Sequence, residues 1–182
     1  MRRATLAIHG IWGRARDLNW IEVFEEEARY ELDVRAREYG YVAAILSCFA
    51  WYRNKIIDSE VAYYNRLLRQ DAPPNLIAHS FGGYVAWALM ADRGLRFHNV
   101  ALLAPAIPED TNWKLFDSRF SSVGVYWSGR DEIIGSAPYG KMGKVGPQVE
   151  HNRVASIETG LLHADYVERK RMKSYIEFLR RE

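Results

Sequence analysis

Ser80 stands in the stretch NLIAHSFGGYVAWAL, where residue types change from those of a buried strand to those of a helix. Asn75 to Ala78 reads as a short apolar strand and Tyr84 to Met90 is apolar at helical spacing, so the chain must turn sharply at the serine and leave its hydroxyl at a corner. Ala78, Gly82 and Gly83 are small enough to let the strand and helix backbones pass close together. The first amides of a helix lack acceptors within it and carry the positive end of its dipole. The N–H of Phe81 would therefore point at negative charge forming on a bound carbonyl oxygen. A nucleophile and one oxyanion donor would then share the corner, although a serine there also serves as a helix cap. A serine hydroxyl attacks at neutral pH only when a base takes its proton, which asks for a histidine, and the imidazole in turn asks for a carboxylate. The chain has five histidines: His9, His79, His98, His151 and His163.

The pattern A-H-S-F-G-G resembles the nucleophile elbow of the α/β-hydrolase family, G-x-S-x-G, with Ala78 in place of the first glycine. Its methyl must fit against the following helix, and the expectation is that it does. The resemblance implies a catalytic base in the short loop between the last strand and the last helix, where His163 stands in LLHAD. It implies the acid at Asp131, since S-G-R-D is similar to the family's G-x-x-D loop and the order Ser, Asp, His is the hydrolase order. An aspartate after a glycine turn can equally be a helix cap, and Glu109 or Asp110 remain alternatives for the acid. HGIWG looks like the family's His-Gly-x oxyanion loop, which implies Ile11, or its neighbour Trp12, as the donor beside Phe81. Trp12, Phe81, Trp51 and Tyr52 would wall a substrate pocket if the stretch from Tyr41 to Trp51 folds over it; otherwise they are core. Asp165 is expected to cap the last helix, His9 to brace its loop, His79 to pack inside the elbow, and His98 and His151 to lie in loops. These histidines lack matched spacing, so no metal site is expected, and no cofactor is implied.

The elements that must position these residues follow from periodicity. Ala4 to His9, Val34 to Glu38, Asn99 to Ala104, Val123 to Trp127 and Arg153 to Ile157 read as strands beside the elbow strand, with the second nearer an edge because it carries arginines. Leu18 to Leu32, Ile56 to Leu68 and Tyr166 to Leu179 show helical spacing. Alternating strands and helices imply a parallel sheet covered on both faces. HGIWG, Ser80, SGRDE and LLHAD then all fall beyond the carboxyl ends of strands, where ligands bind in such sheets.

With 182 residues, 48% hydrophobic and 26% charged, the chain suits one globular domain over 1–182. A net charge of +2 without a sustained basic run argues against a nucleic-acid partner. The apolar residues after Met1-Arg2-Arg3 are interrupted by His9 and Gly10 before a signal-peptide core forms. The longest apolar run, Tyr41 to Tyr52, falls short of the about 20 residues a membrane span takes. Cys48 cannot pair within the chain and reads as a buried thiol in a reducing, cytoplasmic setting. The expectation is an α/β protein of the α/β-hydrolase fold: about six mostly parallel strands, helices on both faces, and neither the family's first two strands nor a cap domain. The resemblance implies a serine hydrolase cleaving a carboxylic ester of a small or medium acyl group through an acyl-enzyme. A thioesterase or amidase on the same residues, or a non-catalytic binding module, are the alternatives, and oligomeric state is not legible.

Overall fold

The computed structural model describes residues 2–10, 20–37, 46, 49–67 and 72–182. Its strands are β1 (Ala4–Ile8), β2 (Asp33–Arg37), β3 (Asn75–His79), β4 (Asn99–Leu103), β5 (Ser122–Trp127) and β6 (Val154–Glu158). All pair in parallel, in the order β2-β1-β3-β4-β5-β6. β1, β3 and β4 are buried along their whole length, as strands covered on both faces must be. β2 lies at an edge and bears Arg35 and Arg37.

Alternate residues of each strand feed different layers. Leu6, Ile8, Leu76, Ala78, Val100 and Leu102 pack on one face against α2 (Ala50–Leu67) and α3 (Phe81–Ala91). Ala7, Ile77, Ala101 and Leu103 pack on the other against α1 (Trp20–Ala28) and α4 (Arg169–Leu179). The period of two along a strand thus divides one sheet between two cores. The order reverses between β1 and β3, and the helices that follow these two strands, α1 and α3, pack on opposite faces of the sheet. Residues 9–10 and Ser80 stand at that reversal.

Most strand ends shift by one residue and α1 stops at Ala28 instead of Leu32; three further boundaries differ for physical reasons. α2 begins at Ala50, ahead of Ile56, because Arg53, Asn54 and Lys55 interrupt the apolar stripe without opposing helix. β4 stops at Leu103, and Ala104 takes φ 43°. The expected closing helix is two pieces, a 3₁₀ turn over Asp165–Val167 and then α4, separated by an extended Glu168 (φ −72°, ψ 141°). Tyr166 sets this break: its ring is buried and its hydroxyl accepts a hydrogen bond from Thr159 Oγ1 at 2.9 Å, which holds the turn off the α4 axis. Among the described residues, the connections after β4 and β5 carry only single helical turns, and no helix is long and apolar enough to cross a membrane. Cys48 and part of the stretch from Tyr41 to Trp51 lie outside the described residues.

Candidate active site

Ser80 joins β3 to α3 with φ 57° and ψ −124°, a backbone conformation that costs a residue with a side chain about 1–3 kcal/mol and persists only when its surroundings impose it. The end of β4 does so. Ser80 N donates to Leu103 O at 2.9 Å, and Ser80 O accepts from Gly83 N at 2.9 Å and Ala106 N at 3.0 Å. The missing side chains at Gly82 and Gly83 make the corner possible. A Cβ at Gly82 would lie 2.6 Å from the carbonyl oxygens of Ile8 and His9, and one at Gly83 would lie 2.6 Å from Pro105 Cβ. Ala78 fits without opening the layer, fully buried in the same core as Val85 and Leu89. The Ser80 side chain makes no cap hydrogen bond to α3, so the capping alternative does not describe it. Phe81 N is the first amide of α3, one of the donors that a helix cannot satisfy from within.

Asp131 and His163 come together from two other loops. Asp131 is fully buried, and its Oδ2 lies 2.8 Å from His163 Nδ1, on a ring whose side chain is 13% exposed. An ionised carboxylate only accepts hydrogen bonds, so Nδ1 donates and Nε2 is left with the lone pair that a base requires. Asp131 Oδ1 meanwhile accepts from Ile134 N at 3.0 Å, capping the turn Glu132–Gly135. The two sequence readings of Asp131, cap and partner of His163, hold at once. Glu109 is committed elsewhere: its Oε2 accepts from Lys141 N at 3.0 Å, and hydrogen bonds from its own backbone and from that of Lys141 hold its carboxyl below the usual range. Asp110 is exposed.

The remaining expectations are met unevenly. His79 is buried in the elbow, with its ring centroid 4.7 Å from that of His163, which brings the His163 loop against the residue preceding Ser80. Among the described residues no hydrogen bond joins the Ser80 hydroxyl to His163. His9 packs edge-on against Trp20 at 5.5 Å. His98 braces Ser121 Oγ and Arg181 O, each at 3.1 Å. Asp165 does not cap α4; its Oδ2 accepts from Leu162 N at 3.0 Å and so ties the His163 loop. Trp51 is 61% exposed, whereas the Phe81 ring is 2% exposed, in the core and not on an open wall. Tyr52 is partly buried against the same core. Ile11 and Trp12 lie outside the described residues.

The chain has a second His–Asp pair. His151 and Asp117 border an open groove of about 1010 Å³, but stand 3.7 Å apart; Asp117 is held at 2.8 Å by Arg153, and Ser156 accepts from Trp127 Nε1 at 2.9 Å. Its serine and carboxylate are already engaged, so nothing there matches the Asp131–His163 arrangement. Among the described residues no cluster of three or more His, Cys, Asp or Glu is placed to hold a metal ion.

No family model matches the chain, and no curated protein matches it. Its structure is similar to that of a protein described as a putative hydrolase of the alpha/beta superfamily from Xanthomonas campestris pv. campestris, with TM-score 0.63, 14% identity and 98% of each chain covered. It is also similar to a predicted CIB-like hydrolase from Thermoplasma acidophilum, with TM-score 0.58, 13% identity, 98% of this chain and 86% of that one. A Pyrobaculum calidifontis esterase gives TM-score 0.54 at 12% identity over 98% of this chain and 76% of that one. The chain has the α/β-hydrolase fold. Within this fold four residues beside the site had no sequence signal of their own. Arg130 donates to Gly160 O at 3.2 Å and clamps the acid loop to the histidine loop. Tyr84 and Tyr139 stand with ring centroids 5.7 and 5.0 Å from that of Phe81, and Arg53 lies 5.7 and 5.6 Å above the two tyrosines. They come from α2, α3 and the loop after β5, and only the tertiary fold places them beside the elbow.

Proposed function

We propose that this chain is a serine hydrolase that cleaves a carboxylic ester of a small or medium acyl group, with Ser80 as nucleophile, His163 as base and Asp131 as its orienting acid. The observation that carries this reading is the buried 2.8 Å contact between Asp131 and His163, on the loop packed against the strained Ser80 corner. Substrate binding closes the Ser80–His163 contact, as hydrogen bonds of this kind tighten in the bound complex. Ser80 Oγ attacks the ester carbon as its proton passes to His163 Nε2, and Asp131 holds the resulting imidazolium. Phe81 N–H stabilises the tetrahedral oxyanion, with Ile11 or Trp12 as the second donor. The carbon–oxygen bond to the leaving alkoxide breaks as His163 protonates that oxygen. Water then gives a proton to His163 and attacks the acyl-enzyme, releasing the carboxylic acid and returning the proton to Ser80 Oγ. The partly buried Tyr84 and Tyr139 are the acyl-side wall, in place of the outward Trp51.

The test is labelling by a fluorophosphonate probe and turnover of an aryl acetate, for wild type and Ser80→Ala. Wild type labels and turns over; the variant does not label, and its kcat falls by roughly 10⁵–10⁶-fold. A wild type that neither labels nor turns over is the binding module instead, and turnover of an acyl thioester or anilide in preference to the ester replaces the substrate class.

A further inference from the structure

His79 precedes the nucleophile, and its Nε2 lies 3.1 Å from the main-chain carbonyl oxygen of His163. A carbonyl only accepts, so Nε2 is protonated and donates. The two rings lie 4.7 Å apart at 38°, with Trp20 edge-on to His79 at 6.5 Å and Tyr166 also at 6.5 Å. Resting on the assignment of Ser80 and His163 above, we propose that His79 is a positioning residue: through its bond to the His163 carbonyl, the neighbour of the nucleophile sets where the base stands.

Apart from the Asp131 bond to its ring, the other ties of the histidine loop act beside His163. Leu161 N donates to Thr159 Oγ1 at 3.3 Å, Leu162 N to Asp165 Oδ2 at 3.0 Å, and Arg130 to Gly160 O at 3.2 Å. These shape residues 159–165 and, through Arg130, tie them to the acid loop, but do not reference them to the elbow. The His79 bond does, because the path from Ser80 to His163 runs through one peptide unit, one buried ring and one hydrogen bond. That short path matters, since a displacement of about 1 Å between reacting groups can cost on the order of 10²-fold in rate. The ring also has the charge state the task requires. Burial, with His163 next to it as the second cause, pushes the His79 imidazole down to about 3. It therefore stays neutral and sets no cation beside an imidazole that becomes positive during attack.

The experiment uses His79→Phe, which keeps a flat ring and removes the donor, and His79→Gln, whose amide nitrogen reaches about as far as Nε2. NMR of the histidine-labelled protein follows the His163 Nδ1–H signal and its exchange with water, and aryl acetate kinetics run in parallel. His79→Phe speeds that exchange at least about tenfold and lowers kcat about 10- to 100-fold with KM within about twofold; His79→Gln restores both. A folded His79→Phe protein with wild-type exchange and kcat overturns the proposal, as does failure of His79→Gln to restore either. If His79→Phe does not fold, His79→Asn, whose amide stops short of the carbonyl, gives the same comparison. Should wild type lack turnover, the hydrolase reading fails by itself, while the exchange measurement still decides the role of His79.

Discussion

Asp131 uses each carboxylate oxygen for a different bond, Oδ1 for the amide of Ile134 and Oδ2 for the imidazole of His163. Asp131→Asn separates the two. The asparagine carbonyl can still cap the turn, but its NH₂ then faces Nδ1 and drives the imidazole proton onto Nε2, where the lone pair is needed. The expected result is a fall in kcat of about 10³–10⁴-fold with the fold intact; a loss under tenfold in steady-state kinetics would remove Asp131 from the reaction. His79 gives a second residue-scale prediction, in stability. Its folded pKa is about 3 against an ordinary 6.5, so in this window the unfolded chain binds the extra proton. Stability from this group is complete above about 6.5 and is lost as pH falls toward about 3. Between pH 7 and pH 5 it contributes a decrease of about 2 kcal/mol in unfolding free energy. Denaturant titrations at the two pH values should show that decrease in wild type and not in His79→Gln, and equal slopes in both proteins would contradict it.

At the scale of elements, what was legible in the sequence was whatever a repeat of two or 3.6 could report. The central strands β1, β3 and β4 are buried on both faces and read as apolar runs, and the helices show their inward stripes at Ile21, Phe24 and Ala28 or Met172, Tyr175 and Ile176. The pairing of Asp131 with His163 was legible only through the resemblance of S-G-R-D and the Ser, Asp, His order to the α/β-hydrolase pattern. Less legible was anything set by a contact between elements. The break at Glu168 depends on Thr159 reaching Tyr166, and the start of α2 lies among polar residues that carry no stripe. The closeness of α3 to the end of β1 was visible only as a glycine. At Gly82 the neighbours of an added Cβ are two backbone oxygens at 2.6 Å, which cannot turn aside. Gly82→Ala therefore has to lift the first turn of α3 from β1, at a cost of about 1–3 kcal/mol, or a melting temperature lower by about 2–12 °C. Because Phe81 N rides on that turn, kcat falls more than KM rises. A variant with wild-type melting and kcat would show that the elbow does not need the close approach.

Across the whole molecule, an all-parallel sheet puts every strand's carboxyl end on one rim and every amino end on the other, which allows chemistry and anchorage to be separated. Ser80, Asp131 and His163 follow the carboxyl ends of β3, β5 and β6. At the opposite rim Asn75 and Asn99, both buried at strand starts, receive the end of α4. Asn75 Nδ2 donates to Leu179 O at 3.0 Å, and Asn99 Nδ2 to Leu179 O at 3.2 Å and Arg181 O at 2.7 Å. Asn99 Oδ1 accepts from Ser122 Oγ at 2.8 Å, and Asn99 N donates to Asn75 Oδ1 at 3.2 Å. The last carbonyls of a helix find no partners within it, so this amide pair supplies them and closes the α4 layer onto β3 and β4. Asn99→Leu keeps the volume but leaves Arg181 O and Ser122 Oγ without these bonds, at a cost of about 1–3 kcal/mol. Thermal melts should record a fall of about 2–12 °C, while kcat/KM at 25 °C stays within about twofold of wild type, because the substitution lies a strand's length from the proposed reacting groups. A large loss of kcat/KM in the folded variant would mean that the two rims are coupled through the sheet.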